Sequence, residues 1–121
     1  MTMPGRLAGR RVLVVEDEIL VSWATHDMLE DLGCLVLDPA ASVSEALAAI
    51  AAEAIDAAVL DLNLNGQLSY PVADALALRG VPYVFVTGYA VDRIAAAYRT
   101  APALQKPLDR IELAGTLTRL L

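Results

Sequence analysis

The sequence predicts an α/β fold, a doubly wound five-stranded parallel sheet in the order 2-1-3-4-5, and three observations carry that expectation. Five short apolar segments alternate with stretches of helical periodicity. Several of the segments, Val-Leu-Val-Val at 12–15 among them, are continuously apolar, as strands covered on both faces are. The chain has 121 residues, the length of one domain. Strand and helix alternating through right-handed crossovers place helices on both faces of a parallel sheet.

The expected strands are Val12 to Val15, Cys34 to Leu37, Ala57 to Leu60, Tyr83 to Val86 and Ala103 to Gln105. After the first, Val21, Ala24, Thr25, Met28, Leu29 and Leu32 recur at helical spacing, and Gly33 follows where a left-handed cap is wanted. A second helix opens on the capping box Ser42 and Glu45, with Val43, Ala46, Leu47, Ile50 and Ala54 as its stripe. The third spans about Pro71 to Arg79, with Ser69 as candidate cap and Gly80 as stop. A fourth, about Val91 to Arg99, has an alanine-rich stripe that holds little apolar area against the core. The last is capped by Asp109, with Glu112 reciprocating and Leu108 stapling to Leu113. The whole chain, 1–121, reads as one domain with its core from about 10 to 121.

Composition narrows the function. Hydrophobic residues make up 57% of the chain, which excludes a disordered tail, and the longest apolar run, Ala46 to Ala52, is far too short to cross a bilayer. The net charge is −6 and the nine bases are scattered, so no nucleic-acid or anionic-membrane surface is expected. The first ten residues lack the apolar core of a signal peptide, and the cytoplasm is the default compartment. The single cysteine, Cys34, lies among apolar neighbours as a buried thiol would. His26 with Glu30 four residues on reads as a solvated helical pair, and Trp23 as a partly packed aromatic.

In open parallel sheets the binding crevice lies beyond the carboxyl ends of the strands, where the strand order reverses. Here those ends carry Glu16, Asp17 and Glu18 after the first strand, Asp61 after the third, Thr87 after the fourth and Lys106 after the fifth. Taken singly, each has an ordinary reading: acids meeting a helix dipole, a turn former beside Asn63, Asn65 and Gly66, a strand threonine, a solvated lysine. Together they converge. Two unit charges about 5 Å apart repel by roughly 3 kcal/mol at an effective dielectric near 20, so three such pairs approach the whole stability of a small domain. A hard divalent cation with oxygen ligands relieves that repulsion, and Mg²⁺ is the expected cofactor. An Asp beside a metal, with an ammonium and a hydroxyl opposite, suits phosphoryl transfer: Asp61 attacks in line, while Lys106 and Thr87 stabilise the phosphoryl oxygens. Lys106-Pro107 is a candidate cis bond.

These residues resemble a known family, the receiver domains of bacterial two-component response regulators, along essentially the whole chain. The motifs are Val-Leu-Val-Val-Glu16-Asp17-Glu18, Leu60-Asp61-Leu62-Asn63, Val86-Thr87-Gly88 and Lys106-Pro107. The resemblance implies that Asp61 is the phosphoacceptor, that Glu16, Asp17, Asp61 and the Asn63 backbone carbonyl hold the metal, and that Thr87 and Lys106 sense the phosphoryl group. It also implies a sensor histidine kinase or histidine phosphotransfer protein as donor and a downstream protein as receiver of the signal. The position of the family's aromatic switch, three residues before the lysine, is Ala103. Phe85-Val86-Thr87-Gly88-Tyr89, with Tyr70-Pro71-Val72-Ala73-Asp74, looks like the FATGUY-like subgroup, named after its Phe-Ala-Thr-Gly-Tyr-like motif, and Tyr89 is the candidate to shield the phosphoryl group or replace the switch. Gly88 and Pro107 flank the two sensing residues.

The expected function is therefore that of a stand-alone receiver without an output domain, and not a turnover enzyme. An aspartyl-phosphate phosphatase of the haloacid-dehalogenase kind needs a second Asp two residues after the nucleophile, where this chain has Asn63. A nucleotide-binding flavodoxin-like module needs a glycine-rich loop after the first strand, which is missing. An unphosphorylated interaction module is the third alternative.

Overall fold

The computed structural model describes residues 5–88 and 94–121. Its elements run β1 (Arg11–Val15), α1 (Ile19–Asp31), β2 (Leu35–Val36), α2 (Val43–Ala52), β3 (Ala57–Asp61), β4 (Asn63–Leu64), β5 (Gln67–Leu68), α3 (Tyr70–Leu78), β6 (Tyr83–Thr87), a 3-10 turn at Ala96–Tyr98, β7 (Ala103–Gln105) and α4 (Arg110–Leu120). The main sheet is parallel and ordered β2-β1-β3-β6-β7, which is the expected 2-1-3-4-5 arrangement.

Alternation along each strand sorts the core into two layers. Leu13, Val15, Ala58, Leu60 and Phe85 face α2 and α3, meeting Val43, Ala46, Ile50, Val72 and Leu76. Val12, Val14, Val59, Val84 and Val86 face the other way, onto Leu29 of α1 and Leu113 and Leu117 of α4. Leu7 is buried in that second layer too, so the core begins before residue 10. The β2 strand is two residues long instead of four, because the chain leaves the sheet after Leu37, whose amide still donates to the Val12 carbonyl at 3.0 Å, and returns for a bridge between Val15 and Ala40.

The helix signals hold with instructive departures. Ser42 Oγ accepts from the Glu45 amide at 3.1 Å, and the Glu45 carboxylate returns to the amide of Ala41, one residue earlier than a standard box. Asp109 accepts from the Glu112 amide at 3.1 Å. On α1 the buried face is Ser22, Thr25 and Leu29, while Ala24 and Trp23 are exposed and Val21 and Met28 half-buried. The apolar arc of α1 is wider than the surface the sheet offers it, so part of that arc borders an open groove beside Pro107 and Leu108 instead of the core. Of the expected fourth helix, 91–93 lie outside the described residues, and the remainder is the 3-10 turn, with its small alanines unburied and Ile94 and Tyr98 anchoring it.

The β3 to α3 connection holds a hairpin where the sequence predicts only a turn. Asn63 and Leu64 pair antiparallel with Leu68 and Gln67 around Asn65 and Gly66, whose φ angles of 56° and 92° are those a two-residue hairpin demands. Ser69 stands at the N-cap of α3 but its side chain caps nothing: the hydroxyl is buried without a hydrogen-bond partner. A buried unsatisfied hydroxyl is a net cost. Ser69→Ala is expected to raise unfolding stability by about 1 kcal/mol, read as a higher urea midpoint at unchanged slope.

Candidate functional site

Parallel β1, β3, β6 and β7 end on one edge of the sheet, and the strand ends deliver the polar residues there. Asp61 is the last residue of β3 and is buried, as are Glu16, just past β1, and Thr87, which ends β6. One carboxylate oxygen from each of Glu16, Asp17 and Asp61 lies within 4.8 Å of the others, the only such acidic cluster among the described residues. Lys106 follows β7 and binds two of them: its Nζ lies 2.8 Å from Glu16 Oε1 and 3.1 Å from Asp61 Oδ2. The backbone fixes this lysine, since its amide donates to the Thr87 carbonyl at 2.8 Å. The Lys106-Pro107 peptide, the candidate cis bond, is cis.

The remaining lone pairs are partly claimed by backbone. Asp61 Oδ1 accepts from the Asn63 amide at 3.2 Å and Glu16 Oε2 from the Glu18 amide at 3.2 Å. Burial, followed by its contact with Asp61, pushes the Glu16 carboxyl up to about 7, although Lys106 and the Glu18 amide pull it down. Burial works against the Lys106 ammonium, but Glu16 and Asp61 more than offset it and the net shift is upward. Three carboxylates against one ammonium leave a cluster short of positive charge by up to two units. Oxygen-only donors so spaced fit a hard divalent cation.

Above the cluster lies an open cleft of about 350 Å³ lined by Asp17, Glu18, Asp61, Asn63, Asn65, Gly88 and Lys106. Glu16 and Thr87 are not on its wall; Glu16 supports Lys106 from behind, and Thr87 is buried beside the lysine's backbone. Tyr89 lies outside the described residues. Glu18 as a wall of the cleft and Asn65 as more than a turn residue carry no sequence signal of their own. An aromatic cluster is a further feature beyond the expected site: Tyr70 stacks on Tyr98 with centroids 4.2 Å apart, both meet the Phe85 ring edge-on, and Tyr98 donates to Asp74 at 2.9 Å. Phe85 pairs in register with Ala103, so an aromatic ring stands beside the small residue at the position where the resemblance calls for an aromatic one. The spacing of Tyr70 and Asp74, one helical turn apart, was the available signal. His26 and Glu30 do form the expected pair at 3.4 Å, and Trp23 is partly packed, 58% exposed beside Pro39.

Residues 12–118 match the family model described as the response regulator receiver domain. Among solved structures, SdrG from Sphingomonas melonis Fr1 is 41% identical with a TM-score of 0.83, covering 93% of this chain and 96% of that one. The BeF3-activated conformation of SdrG from Pseudomonas melonis Fr1 is 40% identical with a TM-score of 0.81, covering 94% and 98%. The response regulator PhyR from Brucella abortus is 25% identical with a TM-score of 0.83, covering 96% of this chain and 49% of its own. No curated protein sequence matches the chain.

The raised Glu16 carboxyl fixes a pH dependence. The folded chain holds this proton more tightly than the unfolded chain, whose glutamate titrates at 4.5, so metal-free stability falls as pH rises from about 4.5 to about 7. Glu16→Gln flattens that slope in denaturant titrations without added metal. For the same reason Mg²⁺ binding by the wild type, followed calorimetrically, tightens as pH rises through 7.

Proposed function

The chain belongs to the response regulator receiver domain family, and from that premise we propose that Asp61 accepts a phosphoryl group from a sensor histidine kinase or histidine phosphotransfer protein and that the change alters binding of a downstream protein. The observation that carries this reading is the Lys106 ammonium holding Asp61 Oδ2 at the floor of a solvent-open cleft. Asp61 supplies the nucleophilic oxygen: it attacks phosphorus in line, the bond from phosphorus to the donor nitrogen breaks, and an acyl phosphate results. Lys106 is placed to exchange Asp61 for a phosphoryl oxygen as a point charge, and Thr87 to draw its hydroxyl toward the same group. Glu16, Asp17, Asp61 and the Asn63 backbone carbonyl are the residues that would hold Mg²⁺, which when bound neutralises charge on the phosphoryl oxygens. The BeF3-activated conformation of a 40% identical relative supports the reading, since trifluoroberyllate has the shape and charge of a phosphoryl group.

Lys106 also borders the apolar groove along α1, formed with Leu20, Val21, Ala24, Met28 and Leu108. A donor must bring its phosphohistidine to Asp61 while covering apolar surface nearby. The groove suits an amphipathic helix carrying that histidine. Leu20 is 72% exposed on its rim. The reading also places the protein in the cytoplasm; no helix among the described residues is long and apolar enough to cross a membrane. Its chemistry is one self-phosphorylation followed by slow hydrolysis, with no turnover of a separate substrate.

Incubation with acetyl phosphate or phosphoramidate plus Mg²⁺ is expected to add one phosphate by mass to the wild type and none to Asp61→Asn; an unmodified wild type overturns the proposal. Leu20→Arg is expected to load normally from acetyl phosphate yet accept phosphate from a phosphorylated histidine phosphotransfer protein roughly tenfold more slowly, the size of a modest interface hot spot.

A further inference from the structure

The β4–β5 hairpin forms a wall of the Asp61 cleft, and its tip is held firmly. Leu64 is buried in the core, Asn63 Oδ1 accepts from the Gly66 amide at 2.7 Å, and the Ser69 amide donates to the Leu62 carbonyl at 2.9 Å. Asn65, at the tip, lines the cleft with Asp61 and Lys106. Its left-handed φ of 56° is one asparagine adopts readily. The two asparagines differ in what they have left to offer. The Asn63 side-chain oxygen is taken up by the turn, whereas the Asn65 carboxamide is exposed and makes no hydrogen bond to any described residue.

Resting on the proposed acyl phosphate at Asp61, we infer that Asn65 is a positioning residue for its hydrolysis, holding the attacking water on the open side of the cleft. Water must approach phosphorus opposite the carboxylate oxygen that leaves. The buried strand end that carries Asp61 closes one side, and the hairpin wall with Asn65 borders the open cleft. In the step the water oxygen bonds to phosphorus as the bond from phosphorus to Asp61 breaks. The carboxylate is regenerated, and both water protons leave with inorganic phosphate. The Asn65 carbonyl oxygen accepts a hydrogen bond from the water and aims its lone pair.

Asn65→Gly tests this without straining the turn, because glycine accepts the left-handed conformation. Wild type and variant are loaded with acetyl phosphate and Mg²⁺, freed of donor, and followed by mass. The expected result is a phosphoryl lifetime roughly fivefold longer in the variant, the size of one lost neutral hydrogen bond, with unchanged loading rate, Mg²⁺ affinity and melting temperature. Asn65→Asp, which also suits the turn and keeps an accepting oxygen, returns the lifetime toward wild type. An unchanged lifetime in Asn65→Gly overturns the inference, as does a joint change in loading, Mg²⁺ affinity and lifetime, which would mark a displaced wall. A wild type that never loads overturns the phosphoacceptor reading itself.

Discussion

The ammonium of Lys106 sits between two buried carboxylates that repel each other, and the arrangement around it follows from that placement. With Nζ 2.8 Å from Glu16 and 3.1 Å from Asp61, the lysine offsets part of a charge density that the fold would otherwise bear unaided. The sheet makes the contact possible: β7 must pair beside β6 and end at the same edge as β1 and β3. The Lys106 amide bonded to the Thr87 carbonyl fixes that register at its last rung. A site with one countercharge for three acids is left short of positive charge, which a dication would supply.

Around this centre the structure separates rigid support from exposed recognition. Both core layers reach the site through strand residues with almost no exposure, Leu60 directly before Asp61 and Val86 directly before Thr87. The wall is different: the hairpin carries only two residues in each strand and owes its shape to Asn63, Gly66 and the buried Leu64. On the opposite flank, α1 leaves apolar side chains uncovered next to Lys106. The Tyr70, Phe85 and Tyr98 cluster fastens α3 to the turn at Ala96–Tyr98, and Ala95 donates its amide to the Tyr70 hydroxyl at 2.8 Å. Aromatic packing next to β6 is therefore present, supplied from α3 and the turn.

The residues that were legible are those whose role follows from local chemistry or from strand ends. Glu16, Asp17, Asp61 and Lys106 were found because each ends or follows an apolar run, and parallel strands must end together. Ser42 and Asp109 were found because capping is a contact between near neighbours. Misread residues share the opposite property. Whether Val21 and Ala24 of α1 meet the sheet or the groove depends on where α4 and Leu108 lie, which helical periodicity does not encode. Ser69 has the chemistry of a cap, yet the backbone at that position leaves its hydroxyl without a partner.

Asn65 and Gly66 show the division clearly. Their side chains determine a tight turn, since both accept positive φ, but that this turn pairs into a hairpin and stands over Asp61 depends on Leu64 finding the core. By itself the sequence determined the strand and helix order, the acidic strand ends and the lysine that answers them, because these are encoded by residue type at fixed short spacing. Only the tertiary structure decided which carboxylates share the ammonium, which face of α1 remains open and what walls the cleft. Those outcomes are set by distances between segments far apart in the chain, and such distances exist only once the sheet has brought its strand ends together.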